Sequence, residues 1–494
     1  MKVSLFIKNT LILTVYGVIL RLMGMGLKIF TVNRIGAECT GLYQQLFSVY
    51  MLPSGAICAA METAVTSAVS RAVSGKHKGN VAGTVSFACI ISFCASAAVV
   101  VGAFLFSGPI SAAIGDMRCE AAVKMLSLSV PFMGASACFK GYFCAMRNAV
   151  TPSNCRLAEQ IVRIAAVVIL LCGSSTDTGE ICRLLFLSDL IAESFSCAVI
   201  YIAYRKSVKK LSGFGRRGRL MSVVIPVGLG RLSTNALRTV ENIAVPNYLT
   251  MFCGSRSLSL SQFGVLKGMA LPVLLFPSAI INGASSLIVP ELARAQERRD
   301  IKRIGYCAEK AVIVTLEAAF FCTTVFFICS GEISFIVYHN AQAAKAIKAL
   351  STLVPFMYLE QATNGILNGL NKQRFIFVCS AVDSALRILL IVFLLPRFGI
   401  AGFIFIMALS NALTSLACFI KLRREIALKI GFCRNILPPM LLAFASAGLG
   451  YMAVPNGSPD IIRLILKLAV CGAVYTVPLF LIKAAHLKSR AAKA

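Results

Sequence analysis

A chain of 494 residues that is 58% hydrophobic and 14% charged has too few charges to cover a soluble core, and it is too apolar for disorder, collagen or a disulfide scaffold. What remains is an all-α polytopic membrane protein, in which about 14 spans of ~20 residues leave room for short loops but for no large soluble domain. The net charge of +29 does not indicate a nucleic-acid partner, because the cations gather in alternate connectors between apolar runs, the pattern that orients membrane proteins.

Taken in chain order, the apolar segments fall at 10–32, 42–70, 81–106, 121–146, 156–174 and 182–204. After a basic stretch they resume at 221–250, 263–290, 305–330, 346–370, 375–395, 400–420, 436–454 and 462–483, which makes fourteen. The first run follows Lys2 and Lys8 as a signal peptide would, but Arg21 and more apolar sequence stand where a cleavage site belongs, so it reads as an uncleaved span. Basic connectors such as Arg71/Lys76/Lys78, Arg205–Arg219, Arg294/Arg298/Arg299/Lys302/Arg303 and Lys421–Arg434 alternate with cation-poor ones such as Asp116/Arg118/Glu120 and Asp460/Arg463. This pattern places both termini in the cytoplasm and makes the number of spans even. The densest basic stretch also suits contact with anionic lipid.

An internal repeat is the most informative feature. Ala122–Met133 matches Ala346–Met357 with eight of twelve residues identical at an offset of 224, and the same offset pairs Glu159 with Asp383 and Arg163 with Arg387. Six helices separate the copies, so the copies share one orientation and form two like-oriented six-helix lobes, the architecture of an alternating-access carrier. The expected domains are a first lobe at 1–204, a basic cytoplasmic linker at 205–220, a second lobe at 221–424, and spans 13–14 with a cytoplasmic tail at 425–494.

Ionisable residues at helix-centre depth cost ~2.5–3.5 kcal/mol each, so they face a cavity or a partner. Glu159/Arg163 and Asp383/Arg387 are i,i+4 pairs with the acid N-terminal, which suits structural neutralising pairs, with a cavity role as the alternative. Arg21, Glu62, Arg231, Arg238, Glu241, Lys267 and Glu360 have no such local explanation. Arg231 and Arg238 are two turns apart on one helix face, and with Arg21 and Lys267 they would form a cationic chamber for an anionic headgroup, since guanidinium pairs with phosphate oxygens in bidentate fashion. Snorkelling from a span end is the plainer reading for Arg238 and Lys267. It suits Arg21 least, about 16 Å into the first span. Glu62, Glu241, Glu360, Asp189 and Glu193 are candidate coupling or cavity carboxylates. Pro131 and Pro355 recur at one repeat position inside spans 4 and 10 and are candidate hinges.

The three histidines (His77, His339, His486) lie in connectors or at a span end, no acid–base pair suited to catalysis occurs at membrane depth, and no phosphate-binding loop motif is present. An enzyme, a metal site and a cofactor are therefore not expected. The 19 cysteines contain no C-x-x-C and read as small apolar residues.

Gly36-Ala37-Glu38-Cys39-Thr40-Gly41-Leu42-Tyr43-Gln44, Arg21-Leu22-Met23-Gly24 with Lys28 beyond it, and Ala68-Val69-Ser70-Arg71 resemble elements of the stage V sporulation protein B family of polysaccharide biosynthesis proteins. The resemblance continues in Gly230-Arg231-Leu232, Leu237–Glu241, Leu266–Pro272, Phe276-Pro277, Val289-Pro290-Glu291 and Gly369–Gln373. Cys39 departs from the glycine often found there. That superfamily also holds lipid II flippases and multidrug-and-toxin-extrusion antiporters. The resemblance implies a fourteen-helix carrier in the bacterial plasma membrane. It would flip an undecaprenyl-diphosphate-linked saccharide to the outer leaflet for envelope or spore-cortex assembly, with glycan synthases as partners. By position, Arg21 inherits diphosphate recognition best, followed by Arg231, Arg238 and Lys267. The competing readings are a cation-coupled multidrug antiporter, which should have a carboxylate-dominated cavity, and a membrane scaffold for glycan synthesis.

Overall fold

The computed structural model describes residues 2–74, 81–173, 177–208, 218–278, 301–426, 431, 435–452 and 460–491. The basic stretch 209–217, the Val289-Pro290-Glu291 element and the cations Arg294, Arg298 and Arg299 lie outside them. Every element among the described residues is helical. Among the described residues, nine helices are long and apolar enough to cross a membrane, and Leu437–Met452 is a shorter apolar helix. Large apolar side chains such as Phe93, Leu105, Ile169, Phe444 and Phe480 are exposed along these helices. A soluble monomer rarely exposes so extensive an apolar surface, whereas lipid requires it. The chain is a multi-pass membrane protein.

The chain forms two compact units, Met1–Gly264 and Val265–Ala494. In the first, α1 (Lys2–Ser74) is followed by α2 (Val81–Leu105), α3 (Ser107–Ile114), α4 (Glu120–Ser127), α5 (Val130–Ala145), α6 (Val150–Cys172), α7 (Thr178–Ser207), α8 (Gly218–Cys253) and α9 (Arg256–Gly264). At 1.5 Å per residue a straight α1 would be about 110 Å long, far more than the ~30 Å of bilayer hydrocarbon. It bends at Gly36, whose φ of 78° and ψ of 177° leave the helical region, so one residue separates two expected spans. A side chain there would meet no neighbour within 4 Å, so it is the backbone angle that favours glycine. The second half of α1 lies at the centre of the unit and packs on α5, α8 and α9. Leu42, Leu46, Ile114, Val130 and Phe186 form one core cluster, and Met61, Val65, Val85, Cys138 and Ile200 another.

The second unit begins with a π-helical turn at Val265–Ala270 and a helical stretch through 278. It continues with α10 (Ile301–Ile328), α11 (Ser330–Tyr338), α12 (Ala341–Ser351), α13 (Val354–Gly369), α14 (Gln373–Glu425), α15 (Leu437–Met452) and α16 (Asp460–Ala491). α14 bends at Gly399, again through a positive φ, and joins two expected spans. Ala308, Val312, Leu367 and Leu422 form its core. Two ion pairs fasten α16 here: Lys467 to Glu332 at 2.5 Å and Lys483 to Glu317 at 2.6 Å.

The repeat is visible in the backbone. Displaced by 224 residues, α5 and α13 have the same bounds, α3 and α11 end at equivalent residues, and so do α4 and α12. Gly115 and His339 both adopt the left-handed conformation at these helix ends, as do Arg147 and Asn371 two elements later. Asp116 and Asn340 accept backbone N–H groups as matched helix caps. Pro131 and Pro355 do not interrupt continuous helices. Each stands in the first turn of its helix, after a two-residue break, where the missing N–H has no intrahelical acceptor to lose.

Candidate functional site

Within the first unit, the largest gathering of buried charge lies on α5, α6 and α7. The i,i+4 spacing on α6 brings Arg163 Nη2 to 3.0 Å from Glu159 Oε1. The same guanidinium reaches across to α7, 2.8 Å to Asp189 Oδ1 and 3.0 Å to Glu193 Oε1, so residues expected as separate groups are one network. Ser196 donates to Glu159 Oε2 at 2.8 Å, and Lys140 on α5 stands 3.6 Å from that oxygen. Three carboxylates thus face two cations. The matched pair in the second unit is plainer. Arg387 lies 3.0 Å from Asp383, and the Ser410 hydroxyl bridges them, accepting from Arg387 and donating to Asp383. At the offset of 224, Lys140, Asp189 and Glu193 correspond to Asn364, Leu413 and Ala417. The surplus charge therefore belongs to the first unit.

Two cavities flank this network. One of about 370 Å³ is lined by Glu62, Lys140, Arg156, Glu159, Gln160 and Glu193. The other, of about 250 Å³, opens between the two halves of α1 and helices α6 and α7, with Arg163 and Asp189 in its wall. Glu62 joins the carboxylates through the first cavity and makes no ion pair among the described residues.

The expected cationic residues divide between the units. Arg21 on α1 and Arg231 and Arg238 on α8 are exposed. None of the three makes a hydrogen bond or ion pair among the described residues. Both α8 arginines lie within the 34-residue apolar segment Leu220–Cys253, well inside its ends. Beside them, Asn235 donates to the Met51 carbonyl at 2.7 Å and Thr239 to that of Ser48 at 2.8 Å, binding α8 to the second half of α1. Glu241 on the same helix is buried. In the second unit, Lys267 sits in the π-helical turn, 6.0 Å from the centre of the Phe403 ring. Glu360, on α13, accepts from the Asn364 amide at 3.5 Å.

Sequence reasoning left out a polar lock on α9. Arg256, which lies between the apolar segments 221–250 and 263–290, donates to Asn247 Oδ1 at 2.7 Å, to Gln45 Oε1 at 3.1 Å and to the Ile114 carbonyl. Gln45 in turn donates to the Asn242 carbonyl at 3.3 Å, and Ser257 donates to Glu38. Next to it, Asp116 binds Arg118 at 2.7 Å. Burial pushes the Asp116 carboxyl up, but hydrogen bonds from the Arg118 side chain and backbone outweigh this and hold it below its ordinary value. α9 also lies tight on α1: a β-carbon on Gly264 would sit 2.0 Å from the Ala37 carbonyl oxygen, and one on Gly41 2.1 Å from that of Leu260. Lys140 was missed as well. Its signal was a cation deep in the apolar segment 121–146, whereas Lys124, the other cation there, lies near the start of the segment.

The chain is similar in sequence and fold to known proteins. Residues 6–249 match the family described as polysaccharide biosynthesis protein. Stage V sporulation protein B of Bacillus subtilis (strain 168) is 24% identical over 429 residues, covering 80% of this chain and 79% of its own length. Among solved structures, the lipid II flippase MurJ in an inward closed conformation aligns with a TM-score of 0.72 at 14% identity, over 95% of this chain and all of MurJ. An inward-facing multidrug resistance MATE family transporter of the MOP superfamily aligns at 0.68 and 13% identity, over 83% of this chain and 98% of its own. These alignments show that the chain shares the fold of both solved structures.

Proposed function

We propose that this protein flips an undecaprenyl-diphosphate-linked saccharide from the inner to the outer leaflet by alternating access. The observation that carries the reading is the set of three exposed arginines, Arg21, Arg231 and Arg238, without a counter-ion among the described residues at membrane depth. An unpaired guanidinium there is costly, and a diphosphate supplies the bidentate oxygens it lacks. The similarity to a stage V sporulation protein and to a lipid II flippase supports the substrate class. Fourteen crossings follow if each bent helix counts twice and the shorter or more polar α6, α12–α13 and α15 also cross. Lobes at 1–204 and 221–424, hinges at Pro131 and Pro355, a cytoplasmic position for both termini, a bacterial plasma membrane and glycan-synthase partners complete the proposal. In it, Glu159/Arg163 and Asp383/Arg387 hold their helices together, while Glu62, Asp189, Glu193, Glu241 and Glu360 are the carboxylates available for coupling.

The test is translocation of undecaprenyl-diphosphate saccharide across proteoliposomes containing the purified protein. Arg21→Ala should lower the rate roughly tenfold or more, since a hydrogen bond between charged groups is worth about 1.5–3 kcal/mol. Full activity in that variant, or none in correctly inserted wild type, would sink the mechanism. A second reading, a cation-coupled drug antiporter, draws on the 370 Å³ cavity, where three carboxylates meet two cations. It predicts export of a cationic dye driven by a proton or sodium gradient, which the flippase reading does not.

A further inference from the structure

The 250 Å³ cavity of the first unit holds an unused set of polar groups. Lys28 and Asp189 both line it, but among the described residues they form no ion pair with each other, Asp189 pairing instead with Arg163 at 2.8 Å. Lys28 and Gln44 make no hydrogen bond among the described residues, leaving three N–H donors on one and an amide on the other. The hydroxyls of Thr31, Thr40 and Ser188 donate back to carbonyls of their own helices, so they offer only acceptor lone pairs to a ligand. Tyr43 and Phe47 stack at 5.9 Å and supply an apolar wall.

These features select a ligand. Lys28 calls for an anion, but Asp189 in the same wall disfavours a dianion, and the Arg163 guanidinium is already taken by three carboxylates. The acceptor hydroxyls call for several O–H donors, which phosphate monoanion has in short supply. One water needs only about 10–15 Å³ of such space, so the cavity admits a ring-sized ligand. The geometry assigns it to a pyranose bearing one carboxylate, an acidic sugar unit, with the carboxylate on Lys28, ring hydroxyls on Gln44, Thr40 and Ser188, and the C–H face against Tyr43. This rests on the reading of the chain as a carrier of lipid-linked saccharides and adds a subsite for part of the glycan, apart from the three arginines.

The test is saturation-transfer NMR on the full chain in nanodiscs, with D-glucuronate as probe, D-glucose as its neutral analogue and inorganic phosphate as competitor. Two variants act by different means. Lys28→Met removes the charge, and Gly24→Leu fills the cavity from a position whose β-carbon meets no atom within 4 Å. Glucuronate should bind wild type at least about tenfold more tightly than glucose does, and each folded variant should lose a similar factor. The inference is overturned if both variants retain glucuronate, if glucose binds equally well, or if phosphate displaces glucuronate at equal concentration. Translocation of a lipid carrying only neutral sugars separates the two readings. Wild type that flips that lipid but ignores glucuronate refutes the subsite alone, whereas wild type that binds glucuronate but flips nothing refutes the flippase.

Discussion

Arg163 and Arg387 hold matched positions in the repeat but keep unequal company, and that inequality can be measured. Removing Arg163 takes the guanidinium from Asp189 and Glu193 and leaves Glu159 with Lys140 and the Ser196 hydroxyl, whereas removing Arg387 affects one carboxylate that keeps a serine hydroxyl. Arg163→Met should therefore destabilise the protein by roughly 3–5 kcal/mol, the usual cost of breaking a buried pair, and Arg387→Met by less. Thermal unfolding in detergent checks the order, and equal losses would count against the network. Asp116 makes a pH prediction. Its folded value lies below the ordinary 3.8, so its pairing with Arg118 contributes fully above that pH and is lost as the pH falls below it. Asp116→Asn should flatten the acid limb of the stability profile and leave stability at neutral pH slightly lower. Of these groups, the i,i+4 pairs were legible in the sequence because both partners share one helix. Asp189 and Glu193 were noticed, but their partner was not, because it comes from α6, some 26 and 30 residues away, through packing that spacing alone does not encode.

Between helices, the docking of α9 on α1 depends on two glycines that leave no room for a side chain. Gly264→Val should prevent that close approach and lower thermal stability more than Gly305→Val, whose position is open to within 3.6 Å of a flexible isoleucine methyl. Arg256→Ala should loosen the same end of α9, read as increased alkylation of a cysteine placed at Ser257. In the second unit, Glu332→Lys combined with Lys467→Glu should restore the stability that either change alone removes, if the ion pair fastens α16. Helices themselves were legible because apolar runs of span length dominate the chain. Their breaks were less so. Pro131 and Pro355 read as kinks within spans, yet the backbone places each at the start of a new helix, because proline fits the first turn, where it forfeits no hydrogen bond. Arg256 sat beyond the apolar runs, so hydropathy filed it with the connectors, although its three acceptors come from elements far apart in the chain.

At the scale of the whole molecule, the alternation of basic and cation-poor connectors predicts both ends on one side. Fusions of a cytoplasm-active fluorescent reporter at either terminus should fluoresce, and alkaline phosphatase fusions at the same points should be inactive; the reverse at either end would overturn the orientation. One feature of α1 bears on how such a molecule moves. Its two halves are joined through Gly36 with no loop between them, so the joint contains no slack. A tilt of the first half has to be passed at once to the second, and the second is hydrogen-bonded to α8 through Asn235 and Thr239. The chain has in effect a crank at its outset, in which a displacement around Arg21 becomes a displacement of the helix bearing Arg231 and Arg238. Lengthening the joint by inserting three glycines after Gly36 should uncouple the two, leaving a protein that still folds and still binds its lipid but no longer carries it across.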